Sequence, residues 1–238
     1  MEFRMRVAIV ALALCAIPLE THSADITVAT KTPELADWTG TYAGLHSGLV
    51  DTKTSFDFDN TATIERFNQR TYRAGWGGQI GYRHQLDHIV VGLETSYLNS
   101  FQRRYAYSGA TTIADRNRRS RVSDIWSVVA HVGYSYDKSL IYLLSGYANA
   151  NTSFKAYVTS TNELASYDFS RNNGWVLGGG VEIATTQALS VGVEYKRIAF
   201  QTHSRFMTPM TGFGNATVSV VSNNVASAML RLNYRFPN

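Results

Sequence analysis

The sequence is short of residues on which several kinds of chemistry depend. It has one cysteine, Cys15, lying in an apolar stretch near the N-terminus. The rest of the chain therefore has no disulfide framework, thiol nucleophile or cysteine metal site. Only 4 of its 238 residues are proline, too few for a proline-rich linker. Charged residues make up 17%, low for a soluble protein of this size. The formal net charge of +4 is too mild to point to a nucleic-acid partner. Runs of Leu, Ala, Glu and Lys that would mark a helical domain are missing. Beyond the N-terminal stretch no apolar run reaches the roughly 20 residues of a helical span. If the chain crosses a membrane, it must do so with strands.

The N-terminus reads as an export signal. Arg4 and Arg6 supply a charged region, residues 7–17 an apolar one, and Pro18 a break. Thr21 and Ser23 place small residues for cleavage after Ser23. Loss of residues 1–23 removes Arg4, Arg6, Glu2 and Glu20, leaving the net charge unchanged. Lipidation of Cys15 is the competing reading, but Leu14 stands where a small residue is wanted. Residues 24–37 are polar and read as a flexible periplasmic leader.

From Trp38 onward the texture is rich in Gly, Tyr and Thr, and eight segments alternate with period 2. They span residues 38–50, 72–84, 89–98, 123–136, 140–151, 174–184, 188–200 and 225–236. The fifth is apolar on both faces at its start, which leaves its register open. Short turns at residues 85–88, 137–139 and 185–187 alternate with long connections at 50–71, 99–122, 152–173 and 201–224. Short turns on one side and long loops on the other are the pattern of a transmembrane β-barrel. Both termini would then lie in the periplasm.

One face of these segments is apolar. Aromatics gather at its ends: Trp38, Trp76, Trp126, Trp175, Tyr134, Tyr136, Tyr234 and Phe236, as suits a membrane–water interface. The other face carries Arg83, Glu94, His131, Glu182, Glu194, Lys196, Arg231 and Arg235. A barrel can pair those charges in its lumen, and closure leaves no sheet edge. The expected fold is thus all-β: an eight-stranded antiparallel transmembrane barrel over residues 38–236. A soluble ligand-binding barrel would need the faces reversed.

Asp37-Trp38-Thr39-Gly40-Thr41-Tyr42-Ala43-Gly44 resembles the opening of the small porin-like outer-membrane proteins of alphaproteobacteria. Gly78-Gln79-Ile80-Gly81-Tyr82, Val91-Gly92-Leu93-Glu94, residues 174–182 and Leu232-Asn233-Tyr234-Arg235-Phe236 resemble that family's later signatures in the same order. The resemblance covers residues 37–236 and implies a place in the cell outer membrane, among lipid and lipopolysaccharide. Thr41 departs from the usual apolar residue. The chain also runs two residues past Phe236, whereas such barrels commonly end on the aromatic that resembles the signal for the barrel-assembly machinery.

The favoured reading of the inward charges is a paired network that plugs the lumen of a structural, surface-interacting envelope protein. A narrow channel for small solutes is the alternative. A further reading rests on the second long connection, where Arg103, Arg104, Arg116, Arg118, Arg119 and Arg121 would suit anions such as lipopolysaccharide phosphates, haem propionates or a host component. No cofactor and no metal site is expected. Enzymatic activity is not expected either. Past the export signal two His-Ser pairs occur, His46-Ser47 and His203-Ser204, neither with a His-x-Ser spacing; the first falls on opposite faces of a strand and so is unsuited to a nucleophile–base contact.

Overall fold

The computed structural model describes residues 36–60, 63–100, 107–108, 116–158, 164–201, 203–206 and 218–237. The expected leader and export signal, up to residue 35, lie outside that range, as do Arg103 and Arg104. Eight strands form the wall: β1 (Gly40–Asn60), β2 (Thr63–Leu86), β3 (Ile89–Ser100), β5 (Arg116–Tyr136), β6 (Ser139–Val158), β7 (Leu164–Ala184), β8 (Leu189–Phe200) and β10 (Val218–Arg235). Two short pieces, β4 (Tyr107–Ser108) and β9 (His203–Phe206), pair with β5 and β10. Every pairing is antiparallel, and β1 pairs with both β2 and β10, which closes the sheet into a barrel.

The alternation in the sequence becomes the two faces of the wall. Outward side chains include Leu45, Leu93, Val128, Leu143, Leu177, Val193 and Leu230, all more than half exposed. A soluble core would hide such residues; here they meet lipid. On β5 the apolar band runs from Tyr136 to Trp126. At ~3.4 Å per residue and a tilt near 45° this is about 24 Å of height, close to the ~25 Å apolar band of an outer-membrane barrel. In β6, Leu140, Tyr142 and Leu144 are buried while Ile141 and Leu143 are exposed, which settles the open register.

Two of the short turns are two-residue hairpins, with Leu86 opposite Ile89 and Tyr136 opposite Ser139. Asp87 (φ 53°) and Asp137 (φ 51°) occupy their left-handed positions, a conformation Asp tolerates better than most residues. In the third, Thr186 Oγ1 accepts from the backbone N–H groups of Ala188 and Leu189.

The strands extend well past the expected segments. β1 and β2 stay paired out to Asn60 opposite Thr63, so most of the connection read as residues 50–71 is a β-ribbon. β6 and β7 likewise run into residues 152–173. These extensions stand clear of lipid, so nothing forces one face to be apolar. Backbone pairing continues there without the alternation that marks the embedded part.

Candidate functional site

The lumen is lined by side chains that the period-2 pattern turns inward, and an eight-stranded barrel is just wide enough for them to fill it. Its centre is Arg231 on β10, about 3% exposed. Its guanidinium donates to Glu94 on β3 and to Glu194 on β8. Lys196 adds contacts of 2.9 Å to Glu194 and 3.4 Å to Glu94. Nearer the short turns Arg83 bonds Glu182 at 2.9 Å. Glu182 also accepts from Ser190 and, at 2.8 Å, from Asn233. Arg83, Lys196 and Arg231 thus face Glu94, Glu182 and Glu194, so the cations and carboxylates balance. Such pairing is what permits these charges to be buried at all.

His131 lies 3.8 Å from Glu94 and stacks on Tyr142 at 5.2 Å, but neither ring nitrogen has a hydrogen-bond partner. Arg235 is not drawn into the network. It sits half-buried at the periplasmic mouth and donates to the backbone carbonyl of Gln187. The inward series reaches the rim one step beyond Asn233, so Arg235 finds a turn carbonyl rather than a carboxylate.

Tyr42 and Tyr142 were not anticipated as members. Their hydroxyls donate to Glu94 (2.7 Å) and Glu194 (2.9 Å). They expose an internal two-fold. Tyr42, Gly81 and Glu94 lie opposite one another on β1, β2 and β3. Tyr142, Gly180 and Glu194 do the same on β6, β7 and β8. Each glycine makes room for a phenol: a Cβ would come within 2.6 Å of the Tyr42 hydroxyl at Gly81 and 2.7 Å of the Tyr142 hydroxyl at Gly180. Arg83 and Glu182, two residues beyond those glycines, are the matching positions of the two halves and are each other's partners. The signal was present in the sequence, where Gly92-Leu93-Glu94 recurs as Gly192-Val193-Glu194.

Trp38 is a correction. Expected among the interface aromatics, it is 3% exposed and faces inward. Its indole N–H donates to Ser135 Oγ at 3.0 Å, and Ala36 N–H reaches the carbonyl of Asp137 at 3.0 Å. The chain before β1 therefore crosses the periplasmic mouth and lays Trp38 near the Arg83 guanidinium. No strand neighbour holds it in the wall, and a large ring before β1 loses more water by filling the mouth. The remaining cavity at this end, lined by Trp38, Arg83 and Arg235 among others, has room of about 10 Å³, roughly one water. The other expected interface aromatics do point outward. Trp76, Trp126 and Trp175 lie toward the long connections, and Tyr134, Tyr234 and Phe236 toward the short turns.

His46 points into the lumen and bonds Gln79 at 2.6 Å, while Ser47 points outward to the carbonyl of Gly75. Arg116, Arg118, Arg119 and Arg121 fall on β5, but their side chains lie outside the described residues. Among the described residues no cluster of His, Cys, Asp or Glu suits a metal ion.

Comparison with known proteins agrees with this architecture. The family model for the outer membrane protein beta-barrel domain matches residues 9–236. A 22 kDa outer membrane protein of Rhizobium leguminosarum bv. viciae is 26% identical over 164 residues, 68% of this chain and 66% of that protein, just under two thirds of its length. The crystal structure of OprG from Pseudomonas aeruginosa superimposes with a TM-score of 0.56 at 12% identity, covering 85% of this chain and 99% of that one. The outer membrane protease OmpT of Escherichia coli gives 0.53 at 11% identity, covering 86% and 98%. At such identities the two structures speak for the fold alone. The family match spans nearly the whole chain, and the protein belongs to the outer-membrane β-barrel domain family, located in the cell outer membrane.

Proposed function

We propose that this protein is a structural, surface-presenting component of the outer membrane, with a lumen closed by its own charges and no enzymatic activity. The observation that carries this is Arg231, held in the middle of the lumen between carboxylates from β3 and β8. An ion entering along the axis would have to displace a guanidinium from two carboxylates that Lys196 alone cannot both neutralise, at a cost of several kcal/mol. Trp38 across the periplasmic mouth supports the same reading. The wall then serves to carry the β-ribbons that rise past the lipid on the outer side, where surface contacts with lipopolysaccharide or a host component would be made.

Single-channel recording in a planar bilayer tests the proposal. The full chain is refolded, and heat-modifiable migration on a gel reports that the barrel has formed. A folded barrel that leaves the bilayer silent is the expected result. Discrete, reproducible opening steps from the same preparation would overturn the plugged reading in favour of a narrow solute channel.

A further inference from the structure

The outer wall is not uniform where its apolar band ends. On each strand, moving away from the short turns, one residue type follows the last outward aromatic or aliphatic side chain. On β3, β5 and β6 it is uncharged or acidic: Asn99 after Tyr97, Asp124 after Trp126, Asn149 after Tyr147. On three strands of the opposite side a cation is found. Arg197 follows Tyr195 on β8, Arg70 follows Tyr72 on β2, and Lys53 lies just past Leu49 and Asp51 on β1. All three cations are exposed.

The register places them together. Tyr72, Asp51, Ala226, Arg197 and Leu177 form one cross-strand row over β2, β1, β10, β8 and β7. Arg70, Lys53, Asn224, Ala199 and Trp175 form the next outward row over the same strands. The middle of both rows is small, so the cations flank a shallow trough. Asp51 is the one acid there, and it is engaged by Arg70 at 2.6 Å. Lys53 and Arg197 make no ion pair among the described residues. Lys53 stands directly opposite Arg70, and like charges facing across a strand pair destabilise it unless a counterion intervenes.

We infer that this trough binds the head group of a phosphorylated outer-leaflet glycolipid. Three observations select that occupant. The cations begin where the apolar side chains stop, which is the head-group layer, on the side of the long connections and hence of the outer leaflet. Arg197 and Lys53 lie two strand spacings apart across the wall and one row apart along it, about 12 Å in all, which suits a disaccharide carrying two phosphates better than a head group with one. Below them Leu49, Val193 and Leu230, each more than half exposed, give acyl chains a surface to lie on. Guanidinium and ammonium groups supply the phosphate donors.

Native mass spectrometry of the full-length refolded protein with bisphosphorylated lipid A tests this, with dephosphorylated lipid A and phosphatidylglycerol as comparators. Wild type is expected to retain bisphosphorylated lipid A in preference to both. The double variant Arg197→Gln, Lys53→Gln should lose retention roughly tenfold or more, the loss of one or more charge-assisted contacts, and Arg197→Lys should keep part of it. Asn149→Ser, on the opposite wall, should behave as wild type. Both altered side chains are exposed, and heat-modifiable migration reports that each variant is folded. Equal retention of the dephosphorylated lipid or of phosphatidylglycerol by wild type, or undiminished retention by the folded double variant, would overturn the assignment.

Discussion

The barrel wall carries arginine–carboxylate pairs on both of its faces, and their geometry is almost the same. Arg83 meets Glu182 inside at 2.9 Å, and Arg70 meets Asp51 outside at 2.6 Å. Their surroundings are opposite: side-chain exposures are 3% and 1% for the first pair, 61% and 20% for the second. Distance alone therefore says little about what a pair contributes. The inner pair is fixed by burial: either group left without its ion partner would remain in the lumen. The outer pair can exchange its contacts for water. On the proposed reading, charge inside this wall closes the barrel, whereas charge outside stays accessible to water and ligands.

The strongest test of that contrast is Arg231→Met. It removes one cation and leaves two carboxylates, Glu94 and Glu194, to share Lys196 and their tyrosine donors. A loss of ~3–5 kcal/mol or more is expected, read as a lower urea midpoint for the heat-modifiable form or as failure to refold. Combining it with Glu94→Gln should restore much of the loss, because Lys196 then faces Glu194 alone at 2.9 Å and no uncompensated charge remains. Arg83→Met should cost less than Arg231→Met, since Arg83 serves one carboxylate where Arg231 serves two, and Glu182 keeps Ser190 and Asn233 as donors. A double variant no more stable than Arg231→Met would show that the arginine acts through packing instead of charge.

Much of this was legible in the sequence, and the parts that were not share a physical cause. Glu94, Glu182, Glu194, Lys196 and Arg231 could be assigned inward because lipid forces the other face to be apolar, and one period-2 pattern then fixes both. Trp38 was misplaced because it precedes β1, where no alternation operates and a ring's position depends on which cavity lies within reach. Arg235 shows the limit at the other end: its parity is inward, but the lumen ends before its partner would be met. Tyr42 and Tyr142 carry no charge and alternate like any aromatic. Only the repeat across about a hundred residues singles them out.

The two-fold offers the second test. Gly81 and Gly180 occupy matching places, and at each a new Cβ would press on a phenol and on the carbonyl of the adjoining strand, Leu93 or Val193. Gly81→Ala and Gly180→Ala should each cost about 1–3 kcal/mol, the range for overpacking. If the halves are mechanically equivalent, the two urea midpoints will fall together. A clear difference would mean that Lys196, or His131 beside Glu94, ties one half more tightly than the other.

The smallest effect is expected on the outside. Arg70→Gln and Asp51→Asn each break a bidentate pair that also stacks over Tyr72. By distance this pair is the shorter of the two compared. Yet the arginine is largely in water, and exposed pairs gain little because water and salt compete for both groups. Neither variant should move the urea midpoint measurably, at low salt or high. A shift approaching that of Arg83→Met would mean that the outer trough is as dry as the lumen. The contrast between the two faces would then rest on which groups happen to be paired, and exposure to water would have to be given up as its cause.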